Sequence, residues 1–195
     1  MPSYTSPPRA RPARGVLAVV GSAADGVETL REGLVLPAIA RGWRVAVTLT
    51  PAAALRLRES GETGRLRDAT GLPVRDRSRL PGEPRPHPDP DCCVLAPADA
   101  DTLAKLVLGI ADNQALTLLA EVLGTPHVPL VAVPVVSAAH ARHPAWPGHL
   151  ATLRAAGVHL LPDPDARPLP EPGDAPGGRG LPWADVLETI DRVTG

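Results

Sequence analysis

Two kinds of apolar pattern alternate along this chain. Short, mostly apolar runs, Gly15–Val20 (GVLAVV), Trp43–Leu49 (WRVAVTL), Cys92–Leu95, Pro129–Val135 (PLVAVPV) and Val158–Leu161, read as strands, those of Gly15–Val20 and Cys92–Leu95 being apolar throughout. Between them, apolar residues recur at helical spacing. Val27, Leu30, Leu34 and Ala38 share one face, and Leu116, Leu119, Ala120 and Leu123 another. Helices are also predicted over Ala145–Ala156, closed by Gly157, and over Trp183–Val193. Pro37 interrupts the first helix and predicts a kink or rearrangement there, with Gly42 as its C-cap. Thr50 followed by Pro51 reads as N-cap and first helical residue.

The stretch Asp91–Asn113 organises the rest. Cys92–Leu95 reads as a central strand that Pro97 ends, since proline cannot donate to a ladder. Asp99 and Asp101 offer side-chain caps, and Thr102 opens a helix that places Leu103, Leu106, Val107 and Ile110 on one face. A third short strand is predicted near Leu72–Arg75, and the proline-alternating Pro81–Pro90 must be extended loop. Strands alternating with helices predict an α/β fold: a three-layer αβα arrangement around a doubly wound parallel sheet. Ligands of such sheets bind beyond the carboxyl ends of the strands. Gly21, Ser22, Ala23, Thr50, Pro97, Ala98, Asp99, Asp101 and Thr102 all fall at that edge, with the end of the Val131–Val135 run.

Composition narrows the class of partner. With 195 residues, the chain divides into a Pro/Arg-rich arm over 1–14, carrying Arg9, Arg11 and Arg14, and one domain over 15–195 with a Pro/Gly-rich loop at 162–182. A net charge of -1 gives no field for nucleic acid or an anionic membrane. Three Trp, one Tyr and no Phe leave few platforms for stacking bases. No signal peptide and no run of transmembrane length is visible. Cys92 and Cys93 are adjacent on a strand, so they point to opposite faces and read as small buried residues. A cytoplasmic location is expected.

The Gly21–Gly26 turn lets a ligand approach the backbone, and Ser22 adds a hydroxyl, without forming the G-x-G-x-x-G fingerprint of dinucleotide sites. Ser22, Thr50, Thr102 and the N-terminus of the helix after Pro97 make a cradle for a monophosphate. Asp99 and Asp101 oppose it, because an ionised carboxylate repels phosphate and, as an N-cap, takes the donors phosphate needs. His87-Pro88-Asp89-Pro90-Asp91 spells H-x-D-x-D, but proline-separated loop ligands without a second cluster predict no metal.

Pro97-Ala98-Asp99-Ala100-Asp101-Thr102, followed by Lys105, Gly109 and Ala111-Asp112-Asn113, resembles the P-A-S-A-N-T loop and helix of the homo-oligomeric FMN-containing cysteine decarboxylases. That family includes phosphopantothenoylcysteine decarboxylase and the peptidyl-cysteine decarboxylases of lantibiotic synthesis. The resemblance runs from about Gly15 to Pro162. It implies a Rossmann-like flavoprotein fold, FMN as cofactor, a small-molecule or peptide substrate, and a homo-oligomer, typically a trimer. It also implies a flavin contact at Thr50, a catalytic histidine at His87, and a substrate-carboxylate site at Pro134–His140, where Ser137 replaces the asparagine of P-x-M-N-x-x-M. Asp99 stands in place of serine and Asp101 in place of asparagine. Gly173–Arg179 is similar to the family's C-G-D-x-G-x-G-R-M clamp, with Pro172 at the position of the reducing cysteine and Gly180 at that of the methionine. Two function classes follow: a divergent flavoenzyme with a redox or decarboxylase-like reaction, or a catalytically inactive relative acting as an oligomeric binding scaffold. An anion- or nucleotide-binding regulatory domain is a third.

Overall fold

The computed structural model describes residues 14–161, 171 and 180–195. Five parallel strands form one sheet in the order β2-β1-β3-β4-β5. They are β1 (Val16–Gly21), β2 (Arg44–Leu49), β3 (Cys92–Ala98), β4 (Leu130–Pro134) and β5 (His159–Leu160). β1 and β3 are central, and every residue in both is buried, which is why they read as continuous apolar runs. Val19 pairs with Val47 on one side and Val94 on the other, so consecutive strands stay level.

Alternation along each strand divides the core between two helical layers. Leu17, Val19, Val47, Cys92 and Val94 face one layer, where Val27, Leu30, Leu34, Leu57, Leu66 and Ile190 are buried. That layer holds α1 (Leu36–Ala40), α2 (Pro51–Glu59), α3 (Glu62–Thr70) and α8 (Trp183–Thr194). Ala18, Val20, Cys93 and Leu95 face the other, against Leu103, Leu106, Leu116, Leu119, Leu150 and Leu153. Those leucines come from α4 (Ala100–Val107), α5 (Gln114–Leu123) and α7 (Trp146–Ala155). A short α6 (Ala138–Ala141) follows β4. The predicted αβα sandwich is thus observed, with the adjacent cysteines on opposite faces of the sheet.

Several local features differ from the sequence pattern, each for a physical reason. Pro97 does not end the central strand. β3 continues to Ala98 and its register against β4 shifts between Leu95 and Ala98, so the missing proline N–H falls where the ladder is irregular. The next helix begins at Ala100, before Thr102, because Asp99 is extended and caps it. It ends at Val107, with Gly109 at φ +70°, so Ile110 lies beyond it and is exposed. Near Leu72–Arg75 the chain makes only the Thr48–Arg75 bridge, and no full strand. The segment from Val27 forms a 3-10 turn and then a π-helical turn, Arg31–Val35, before α1. The wider turn accommodates Pro37, which lies in the first turn of α1 where no N–H is required.

Candidate functional site at the carboxyl edge of the sheet

The chain leaves β1 toward β2 on one side, and leaves β3 toward β4 on the other. The crevice between the ends of β1 and β3 is therefore the topological switch point of the sheet. Hydrogen bonds lace the loops across this edge. Thr50 N–H donates to Gly21 O at 2.9 Å, Ser22 N–H to Pro97 O at 3.1 Å, and Val135 N–H to Ala98 O at 2.8 Å. The ends of β2, β1, β3 and β4 are joined in sequence by these bonds.

Ser22 is the central clasp. It is fully buried, its Oγ–H donates to Pro97 O at 2.9 Å, and its Oγ accepts Asp99 N–H at 2.8 Å. Gly21 beside it is closely packed: a Cβ there would lie 3.0 Å from Leu49 Cδ2. Ala23 continues the loop, where its carbonyl accepts from Arg56 Nη1 at 3.5 Å. Arg56 also lies near Asp25 and Glu28, at 3.7 and 3.5 Å. Thr50 is buried and caps α2, its Oγ1 accepting Ala53 N–H at 3.3 Å, while Pro51 occupies the first helical position. These places for Gly21, Ser22, Ala23 and Thr50 are the ones their spacing predicts.

The α4 terminus is arranged differently from a simple phosphate cradle. Asp99 Oδ1 accepts Thr102 N–H at 2.7 Å, so a carboxylate already stands where the helix N-terminus favours an anion. Thr102 is buried beneath that turn. Asp101 is exposed and pairs with Lys105 at 3.2 Å, and Lys105 also reaches Asp112 at 2.9 Å. Hydrogen bonds to Asp112 and Asp101 raise the Lys105 pKa, so that cation is held in its charged form. Among the first-turn donors, the Ala100 and Asp101 N–H groups are those Asp99 does not take.

Ser137 comes to the same edge, three residues beyond the end of β4, and caps α6. Its hydroxyl accepts His140 N–H at 3.3 Å and lies 3.2 Å from His140 Nδ1. Nearby Arg142 makes a two-pronged pair with Glu171, at 2.7 and 3.0 Å. His87 is elsewhere. It lies on the flank of β2, with Nε2 bonded to Pro73 O at 2.7 Å. Burial lowers its pKa, and the nearby Arg75 charge lowers it further. The Cys92 thiol is pushed up to about 12 by burial, and Cys93 is raised likewise, so neither supplies a thiolate. Pro172–Arg179, the region of the clamp-like motif, lies outside the described residues.

What the sequence pattern missed is the lacing itself. No motif marks Ser22 as a partner of both Pro97 and Asp99, 75 and 77 residues away. The Asp99 cap had a local signal, an aspartate three residues before Thr102.

The family model for flavoproteins matches residues 11–195. The chain belongs to the flavoprotein family. The bifunctional coenzyme A biosynthesis protein CoaBC of Mycolicibacterium smegmatis is 36% identical over 103 residues, 53% of this chain. The chain spans only 23% of that protein's length. Among solved structures, the FMN-dependent cysteine decarboxylase TvaF from thioviridamide biosynthesis matches with a TM-score of 0.67 and 23% identity, over 92% of this chain and 97% of that one. HAL3 from Cryptococcus neoformans gives 0.61 and 22%, over 92% and 95%. The FMN-binding protein AtHal3 gives 0.63 and 17%, over 92% and 96%. At these identities the structural likeness establishes the fold.

The residues of this flavoprotein fit a flavin at the switch point in all but one respect. The strand order is that of flavodoxin-like sheets, whose ligands bind at the β1/β3 crevice. The laced loops keep Thr50, Ala98 and Thr102 beside that crevice. The exception is Asp99, whose carboxylate fills the anion position of α4. Among the described residues, no helix is long and apolar enough to cross a membrane.

Proposed function

We propose that this flavoprotein binds FMN at the carboxyl edge of its sheet and carries out a redox or decarboxylase-like reaction on a small molecule or peptide, with an active site diverged from cysteine decarboxylation. The observation that carries the reading is the lacing of the β1, β2, β3 and β4 ends by Ser22, Thr50, Ala98 and Val135 around the switch point. Gly21–Ala23, Thr50, Ala98 and Thr102 would hold the flavin. With the α4 terminus capped by Asp99, its phosphate would take first-turn donors that the caps leave free. When bound, FMN supplies two-electron oxidation. Ser137 would offer one hydroxyl donor to a substrate carboxylate, a shorter reach than asparagine has. Because His87 bonds Pro73 O on the flank of β2, general-base work at the switch point would fall to another group.

The assembly proposed is a homo-oligomer, a trimer being the form the resemblance implies, in a reducing cytoplasm where Cys92 and Cys93 stay as thiols. Exposed Leu55, Leu108 and Ile110 are apolar surface for such packing. A second reading has its own support: because Asp99 closes the α4 terminus, the fold would serve as a non-catalytic binding scaffold.

The visible spectrum of the purified protein, followed by titration with FMN, tests both. Flavin bands, or saturable FMN binding, are expected. Asp99→Asn keeps a capping oxygen and removes the charge, and should tighten FMN by about threefold to tenfold, within the range of helix-terminus charge effects. Absence of FMN binding by both proteins would overturn the flavin reading. Binding by Asp99→Asn alone would favour the scaffold.

A further inference from the structure

A second concave site lies at the outer edge of the sheet, beyond β2. A cleft of about 680 Å³ runs between α2 and the segment over 73–86. Its charged lining is Arg58, Arg75, Arg77 and Arg79 against Asp76 and Glu83, an excess of two positive charges. The acids do not neutralise it evenly. Arg58 pairs with Asp76. The Glu83 carboxylate accepts Leu80 N–H at 2.9 Å, and Arg79 donates to the Glu83 main-chain oxygen at 2.5 Å. Among the described residues, Arg75, Arg77 and Arg79 form no ion pair within 4.0 Å.

Arg75 is the least expected of these. Backbone bonds fix its position beside β2: Leu49 N–H donates to Arg75 O at 2.7 Å and Arg75 N–H to Val47 O at 3.0 Å. Its side chain is half-buried. Burial lowers its pKa, the Arg79 charge lowers it further, and only Glu121 acts in the opposite sense. A desolvated guanidinium held near a second one, without a carboxylate in contact, is an arrangement that an oxyanion relieves. Pro51, which also lines the cleft, directly follows Thr50 of the laced edge, so the cleft opens beside the flavin loops.

We propose that this cleft is a binding site for an oxyanion group, carboxylate or phosphate, of a ligand other than the flavin, held by Arg75, Arg77 and Arg79. The fork of each guanidinium suits two oxygens of such a group, and the partial burial of Arg75 protects the contact from salt. The site stands on the cleft's own lining. Where the flavin reading also holds, it makes the substrate anionic and sets its charged end on the β2 side of the cofactor.

The test is an NMR titration of the full chain with inorganic phosphate and, separately, with acetate, at low ionic strength, following arginine Nε–H resonances. Chloride at matched ionic strength is the control. Arg77 and Arg79 are exposed, so Arg77→Ala with Arg79→Ala leaves the fold intact. Saturable shifts in the wild type, at least tenfold weaker in the double variant, are expected, and the tighter of the two anions identifies the source as phosphate or carboxylate. Shifts no greater than those with chloride, or unchanged affinity in the double variant, would overturn the site. FMN titration of the double variant separates the two ligands. Unchanged FMN affinity is expected, whereas a tenfold loss would make the oxyanion the flavin's own phosphate and overturn the assignment to a second ligand. A protein that binds phosphate here yet ignores FMN would sink the flavin reading alone.

Discussion

Removing one hydroxyl at the switch point should cost more than its size suggests. Ser22→Ala deletes, from a fully buried side chain, the donor to Pro97 O in a buried bond and the acceptor of Asp99 N–H in a part-buried one. Pro97 O keeps a partner, because Ser22 N–H still donates to it at 3.1 Å. Asp99 N–H keeps none. A donor stranded away from water costs about 1–3 kcal/mol, whereas an ordinary hydrogen bond contributes a net of about 1 kcal/mol. The expected loss is therefore about 2 kcal/mol, or about 4–8 °C in Tm for a chain of this size. Urea denaturation followed by circular dichroism measures it, with a lower midpoint and an unchanged slope. Ser78→Ala, at an exposed site, is the control and should stay within about 0.5 kcal/mol. If Ser22→Ala matched the control, the clasp would not hold the edge together, and the site built on it would lose its basis. Loss of stability with full retention of FMN affinity would instead limit Ser22 to a structural role.

Two other perturbations probe the frame around the site. A Cβ on Gly33 would fall 2.0 Å from Trp183 Cδ1, and Trp183 Nε1–H donates to Thr29 Oγ1 at 3.0 Å, so Gly33→Ala should push α8 outward. A loss of about 1–3 kcal/mol with altered tryptophan fluorescence is expected; an unchanged emission spectrum would refute that packing. Glu62 is buried, which pushes its pKa up, but hydrogen bonds from Arg31 and Arg65 outweigh burial and hold it below the ordinary 4.5. A depressed folded pKa means stability that is complete above the unfolded value and is lost as pH falls through the folded one. Glu62→Gln should therefore flatten the stability profile below about pH 4.5, and a profile parallel to the wild type would contradict it.

The sandwich was legible from pattern alone because its determinants are local. The short apolar runs of β1 and β3, bounded by glycine and proline turns, read as strands covered on both faces, and Val27, Leu30, Leu34 and Ala38 fall on one face at helical spacing. Caps belong to the same class, since Thr50 and its Ala53 N–H are neighbours in sequence. Local competition blurred some boundaries: Asp99, not Asp101, won the α4 cap, and Gly109 stopped the helix before Ile110. Which loops gather at the carboxyl edge also followed from strand–helix alternation. Its internal wiring did not. Ser22 meets Pro97 and Asp99 only because β1 and β3 are adjacent, and sequence spacing carries no trace of which strands will be neighbours. The same holds for His87, which chain order puts near the central strand but tertiary contact fixes on Pro73 at the far side of β2. The arginine cleft likewise exists only once the 73–86 segment folds against α2 and Arg75 aligns with Thr48. Apolar periodicity and capping, both readable along the chain, set which segments become strands and helices. Which of their ends meet follows only from the assembled sheet, because side-chain partners across it depend on strand order and register, which no local rule encodes.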